Sequence, residues 1–158
     1  LEFFGNDQGE NLAVSRAPNN RVTLTRDIGP IVMDINGISR LGFTPRGGAD
    51  TITINDLLST GLADIRTEMV PDNAVDRLVL NGTAGDDAWS LSGSNGSVDF
   101  AGPTSSTHGG VRFVDHQYGI VIAGHSSTDK LAADRNKFAA ELSAPLTVTS
   151  RLTSKLRT

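Results

Sequence analysis

The chain has no cysteine among its 158 residues, which excludes disulfides, thiolate metal sites and cysteine nucleophiles. Aromatic residues are scarce at 5%, so a core has to be assembled mainly from Val, Ile, Leu and Ala. No apolar run approaches the length of a membrane-spanning helix. Positive charge is also short: 14 bases stand against 18 acids, 14 of them Asp, for a formal charge of -4. That balance argues against nucleic acid as the main partner, because such binding neutralises phosphates with clustered Lys and Arg. The opening stretch from Leu1 to Gly5 has neither an initiator Met nor a signal-peptide pattern, and reads as part of a longer chain.

What the chain does have is 17 glycines, with Asn, Asp, Ser and Thr filling the gaps between short apolar runs. This composition predicts an all-β fold with many turns. Asn11–Ser15, Arg21–Thr25, Ile31–Ile35 and Arg40–Thr44 each span about one strand, separated by turn formers such as Pro18–Asn20, Gly29–Pro30 and Asn36–Gly37. A shared pattern then recurs: Asp, any residue, apolar, any residue, apolar, polar turn former. It fits Asp50–Asn55 and Asp76–Asn81, and again the stretch opening at Asp87. A longer echo joins Glu10–Val14 and Val22–Leu24 to Asp87–Leu91 and Val98–Phe100, at nearly constant offset, and continues by setting Ile31–Met33 near Val111–Phe113 and Asp50 near Asp129.

A strand unit that cannot bury its own apolar side does so by stacking on its neighbours. The expected architecture is therefore a parallel β-solenoid over residues 1–126, with the second and fourth residues after each Asp pointing inward, Trp89 among them. An antiparallel β-sandwich is the alternative. From Ser127 to Leu142 the spacing of Leu131, Phe138 and Leu142 predicts an amphipathic helix, ended by Pro145, that caps the stack over 127–145. Residues 146–158 are expected to add a last strand, Leu146–Ser150, and a mobile basic tail.

The segments GGADTITIND at 47–56, DNAVDRLVLNGTAGDDAWSLSG at 72–93 and VTLTRDIGPIVMDING at 22–37 resemble the repeats of bacterial hemolysin-type (RTX) calcium-binding proteins, over about residues 5–102. The resemblance implies a secreted or cell-surface bacterial protein with a parallel β-roll or β-helix, where Ca²⁺ sits between successive turns. Its implied ligands here are Asp86 and Asp87, then Asp50 and Asp76. The chain departs from the family's tandem nonapeptide, offering the partial match Gly82–Ser90 without a second copy directly behind it. Calcium takes six to eight oxygen ligands, which one Asp per turn supplies only if neighbouring turns stack in register. Turn-capping by the same Asp side chains is an equal reading of these residues.

A second constellation lies further on. His108, His116 and His125 recur at spacings of 8 and 9, which suit corresponding places on adjacent short strands. Three imidazoles and a water form a catalytic zinc arrangement, with Asp115 or Asp129 as fourth ligand, orienter or general base. Three separate turn histidines fit the same spacing. Nucleophile-elbow, phosphate-loop and dinucleotide fingerprints are absent.

Two functional expectations follow, with the divalent metal undecided between calcium and zinc. One is a structural, calcium-binding β-repeat module of an exported protein. The other is a small metal-dependent hydrolase of activated esters or phosphoesters. Open end strands add the expectation of self-association.

Overall fold

The computed structural model describes residues 1–69, 72 and 74–83, together with the backbone of strands at 88–94, 97–101, 111–113, 118–123, 129–134, 147–149 and 152–157. The protein is all-β. Among the described residues, helix is confined to one 3₁₀ turn at Pro18–Asn20, where Asn19 adopts φ 60° and reverses the chain. Asn tolerates that left-handed geometry better than most residues.

The first eight strands are β1 (Glu2–Phe4), β2 (Asn11–Ala17), β3 (Arg21–Arg26), β4 (Ile31–Ile35), β5 (Arg40–Arg46), β6 (Thr51–Ile54), β7 (Asp64–Met69) and β8 (Asp76–Asn81). The rest are β9 (Ala88–Ser94), β10 (Ser97–Ala101), β11 (Val111–Phe113), β12 (Tyr118–Ala123), β13 (Asp129–Asp134), β14 (Thr147–Thr149) and β15 (Leu152–Arg157). They form two sheets. One runs in the order β1-β5-β7-β11-β10-β9-β13-β15, the other β14-β12-β8-β6-β2-β3-β4. From β5 to β8 successive strands alternate between the sheets, and each pairs parallel with the strand two places earlier or later.

Period-two alternation explains why these segments are strands and which way they face. Leu12 and Val14 of β2, Ile52 and Ile54 of β6, and Leu78 and Leu80 of β8 are at most 1% exposed, on one face of the second sheet. Leu41 and Phe43 of β5 and Ile65 of β7 complete the same core from the first sheet. The inward places after Asp50 and Asp76 are thus those the repeat pattern assigns. Trp89 lies in β9, whose side chains are outside the described residues.

The sheets are mixed, which departs from the expected uniformly parallel stack and equally from an antiparallel sandwich. β2, β6, β8, β12 and β14 run parallel, but β2-β3-β4 and β9-β10-β11 are antiparallel meanders. Short turns at Pro18–Asn20 and Asp27–Pro30 force the first meander, because a two- to four-residue connection can only join antiparallel neighbours. The longer echo in the sequence matches this topology. β2 is antiparallel to β3 and parallel to β6 with Asn11 opposite Thr51; β9 is antiparallel to β10 and parallel to β13 with Ala88 opposite Lys130.

The capping helix is not formed where its first turns were expected. Asp129–Asp134 is strand β13, paired parallel with β9 on one side and β15 on the other. Backbone ladders on both edges override a helical spacing that rested on three apolar residues. Residues 135–146 are outside the described residues. Likewise Leu152–Arg157, expected as part of a mobile tail, is strand β15, whereas β14 falls on the expected last strand.

Candidate functional site

The corner between the two sheets is built by glycine. Gly48 has φ +98°, and a Cβ there would lie 2.3 Å from the N of Gly9. A Cβ on Gly9 would lie 2.6 Å from the Ala49 oxygen. The loop entering β2 therefore seats backbone against backbone on the loop entering β6, an approach that side chains would block. This close seat lays Glu10, just before β2, over Asp50, just before β6. Asp76, the first residue of β8, follows at the same level.

The three carboxyl groups form a ladder. The Glu10 N–H donates to Asp50 Oδ1 at 2.8 Å, and the Asp50 N–H donates to Asp76 Oδ1 at 2.9 Å. Main-chain bonds run alongside, from Thr51 N–H to the Glu10 oxygen at 2.8 Å and from Arg77 N–H to the Asp50 oxygen at 2.7 Å. The Asp50 and Asp76 carboxyls thus each satisfy an N–H of the preceding coil where the strand ladder begins. All three residues are buried, Glu10 at 0%, Asp50 and Asp76 at 1% exposure.

Charge is balanced at one end of the ladder. Glu10 Oε1 accepts from the Asn6 N–H at 2.9 Å and from the Arg26 guanidinium, which also lies over the Phe3 ring at 5.8 Å. Arg26 reaches this place because the β2-β3 meander sets it opposite Leu12. Asp50, in the middle, makes no ion pair among the described residues, and its Oδ2 is buried without a hydrogen-bond partner there. Burial pushes the Asp50 carboxyl up to about 7; the Glu10 N–H opposes this, and the charges of Asp76, Glu10 and Asp72 reinforce it. Asp72 behaves in the opposite way. N–H groups of Gly48 and Ala74 hold its half-buried carboxyl below the usual range.

A polar ladder pins the opposite ends of the same strands. Asn81 Nδ2 donates to Asn55 Oδ1 at 2.7 Å, and Asn55 Nδ2 donates to Ser15 Oγ at 2.8 Å. The repeat's first and last residues are therefore both stacked in register.

Of the residues expected to carry chemistry, Asp50 and Asp76 are brought together in this ladder. Asp86, Asp87, His108, Asp115, His116 and His125 lie outside the described residues, and Asp129 is described as backbone, opening β13. Asp50 and Asp76 each commit Oδ1 to an amide, and no group of three His, Asp or Glu suited to a metal ion occurs among the described residues. Sequence reasoning missed Glu10 and Arg26 as parts of this site. Glu10 heads the same x-apolar-x-apolar pattern as Asp50 and differs only by a methylene, which was the available signal; Arg26 had none, since its position depends on the meander.

Comparison with profiles of known protein families, with curated proteins and with solved structures finds no match to this chain.

Proposed function

We propose that the chain is a structural β-repeat module, a solenoid-like segment of an exported bacterial surface protein, in which stacked coils provide a rigid scaffold. The observation that carries this reading is the carboxylate ladder. It joins equivalent residues of successive coils, 40 and 26 positions apart in sequence, by amide-to-carboxylate bonds inside the core. Such bonds specify register, because a slip by one residue would turn Ile52, Ile54, Leu78 and Leu80 outward and leave buried carboxyl groups unpaired.

Calcium enters this reading through Asp86 and Asp87, on the strength of the partial repeat Gly82–Ser90. Calorimetric titration with calcium tests it: binding lost in Asp86→Asn with Asp87→Asn supports a metal-dependent module, and no heat in the unaltered chain removes calcium from the proposal.

The register role has its own test in native-state hydrogen exchange. Asp76→Ala should speed exchange of the Asp50 amide, whose acceptor it deletes. Unchanged protection of that amide would sink the proposed role of the ladder.

A further inference from the structure

The first sheet ends on β1 at one side and on β15 at the other. β10 is antiparallel to both of its neighbours and every other step across the sheet is parallel, so β1 and β15 run in the same sense. β1 keeps a bonding edge to spare. The Gly42 N–H donates to the Leu1 oxygen at 2.8 Å and the Gly5 N–H to the Thr44 oxygen at 2.9 Å, so the alternate residues Glu2 and Phe4 turn their main-chain groups away from β5. No strand takes them up among the described residues.

The two ends also differ in charge. Carried strand by strand, the register sets positions 153, 155 and 157 on the outer face shared by Glu2 and Phe4, and positions 152, 154 and 156 on the core-facing line that holds Phe3. Glu2 stands beside Gly42 and makes no ion pair among the described residues, since Arg66 in the next strand pairs with Glu68. Lys155 stands beside Ala132. Each end strand thus carries a charge whose ladder neighbour has none to match it. The place beside β1 is apolar underneath, because β3 and β4 extend the second sheet past β2 and Arg26 of β3 lies over the Phe3 ring at 5.8 Å. Phe3 and Met33 stay half-buried there, and Phe4 is 60% exposed.

We propose that β1 of one copy of the chain accepts β15 of a second copy, in parallel, in the register that sets Glu2 beside Lys155, Phe3 beside Leu156 and Phe4 beside Arg157. That single register joins an acid to a base and a ring to a guanidinium on the outer face, and two apolar residues on the core-facing line. Pairing β1 with β1 would leave Glu2 without a cation, and pairing β15 with β15 would leave Lys155 without an acid. Charge therefore selects the head-to-tail contact. Such a contact is heterologous: each addition leaves one β1 and one β15 open, so copies continue into a filament in which the first sheet runs on from chain to chain. The inference rests on the stacked scaffold proposed above and names a second copy of the chain as its partner.

The test is sedimentation velocity of the full chain over a concentration series, repeated with Glu2→Lys, with Lys155→Glu and with both together. The unaltered chain should grow through dimers to larger species and associate more weakly as salt is raised. Each single variant should associate at least about tenfold more weakly, because like charges then meet. The double variant, and an equimolar mixture of the two single variants, should regain association. A chain that stays single at every concentration overturns the proposal, as does association indifferent to salt; both are read on the unaltered chain, whether or not a variant folds. Lys155→Glu assembling like the unaltered chain, or folded charge-exchanged variants that recover nothing, overturns it too. The register role fails separately, in the Asp50 amide exchange of Asp76→Ala measured where the chain is single.

Discussion

The N–H of Asp50 donates to the Oδ1 of Asp76, 2.9 Å away and 26 positions further along the chain, inside the core. Deleting that acceptor leaves a buried N–H unpaired. Asp76→Ala is expected to destabilise the protein by about 1–3 kcal/mol, the cost of an orphaned buried donor. Asp76→Asn keeps an acceptor oxygen in place and should recover part of the loss. Denaturant unfolding of both variants checks the order.

Stability should fall as pH rises through neutrality. Burial holds the folded Asp50 carboxyl at about 7 against 3.8 for an ordinary Asp, so between those values the folded state binds more protons than the unfolded one. The contribution is complete below the unfolded value and is lost as pH climbs through the folded one. Unfolding midpoints measured across that window should slope downward, and the slope should vanish in Asp50→Asn.

The acid limb has the opposite sign. Amides of Gly48 and Ala74 hold Asp72 below its ordinary range, so its contribution is present above the unfolded value and lost as pH falls through the folded one. Asp72→Ala should therefore weaken the dependence of stability on pH below about 4 and leave the neutral slope in place. Acid titration followed by circular dichroism separates the two.

Gly48→Ala should be costly. The backbone there has φ +98° and the added Cβ meets the Gly9 N at 2.3 Å, so strain and overlap act together. The backbone conformation alone accounts for about 1–3 kcal/mol. Gly29, also at positive φ but with nothing within 4 Å, should tolerate Ala at the cost of backbone strain without the overlap. Comparison of the two variants by thermal unfolding isolates the close approach.

β4 ends the second sheet, and its Val32 is 75% exposed. An exposed edge strand with an apolar residue invites pairing with another chain. Val32→Lys should change stability by no more than about 0.5 kcal/mol and reduce any concentration-dependent association seen by sedimentation.

Much of the second sheet was legible in the sequence because strand periodicity is local. Asp50 to Asn55 and Asp76 to Asn81 alternate with period two, and that alone sets which residues of each face inward. The long echo from Glu10 to Asp87 was likewise visible, and it reappears as two antiparallel meanders, each flanked by a parallel strand. The stretch from Asp129 was misjudged for a reason of the same kind. Its apolar spacing suits a helix, but β9 and β15 offer hydrogen bonds on both edges, and neither neighbour is close in sequence. β1 gave little signal, since Glu2–Phe4 is short, whereas Asp64, Arg66 and Glu68 alternating with Ile65, Thr67 and Met69 was a period-two strand signal that the sequence reading passed over.

The sequence by itself determined the all-β class, the inward residues of the repeat and the presence of carboxylates at strand entrances, because each depends on a few adjacent residues. Only the tertiary structure decided what those carboxylates do. Stacking Glu10 on Asp50 requires the Gly9–Gly48 corner to close, stacking Asp50 on Asp76 requires β6 and β8 to pair in parallel, and placing Arg26 on Glu10 requires the β2-β3 meander to fold back. Burial then sets the protonation of Asp50, a property of the surrounding coils that no neighbouring residue encodes.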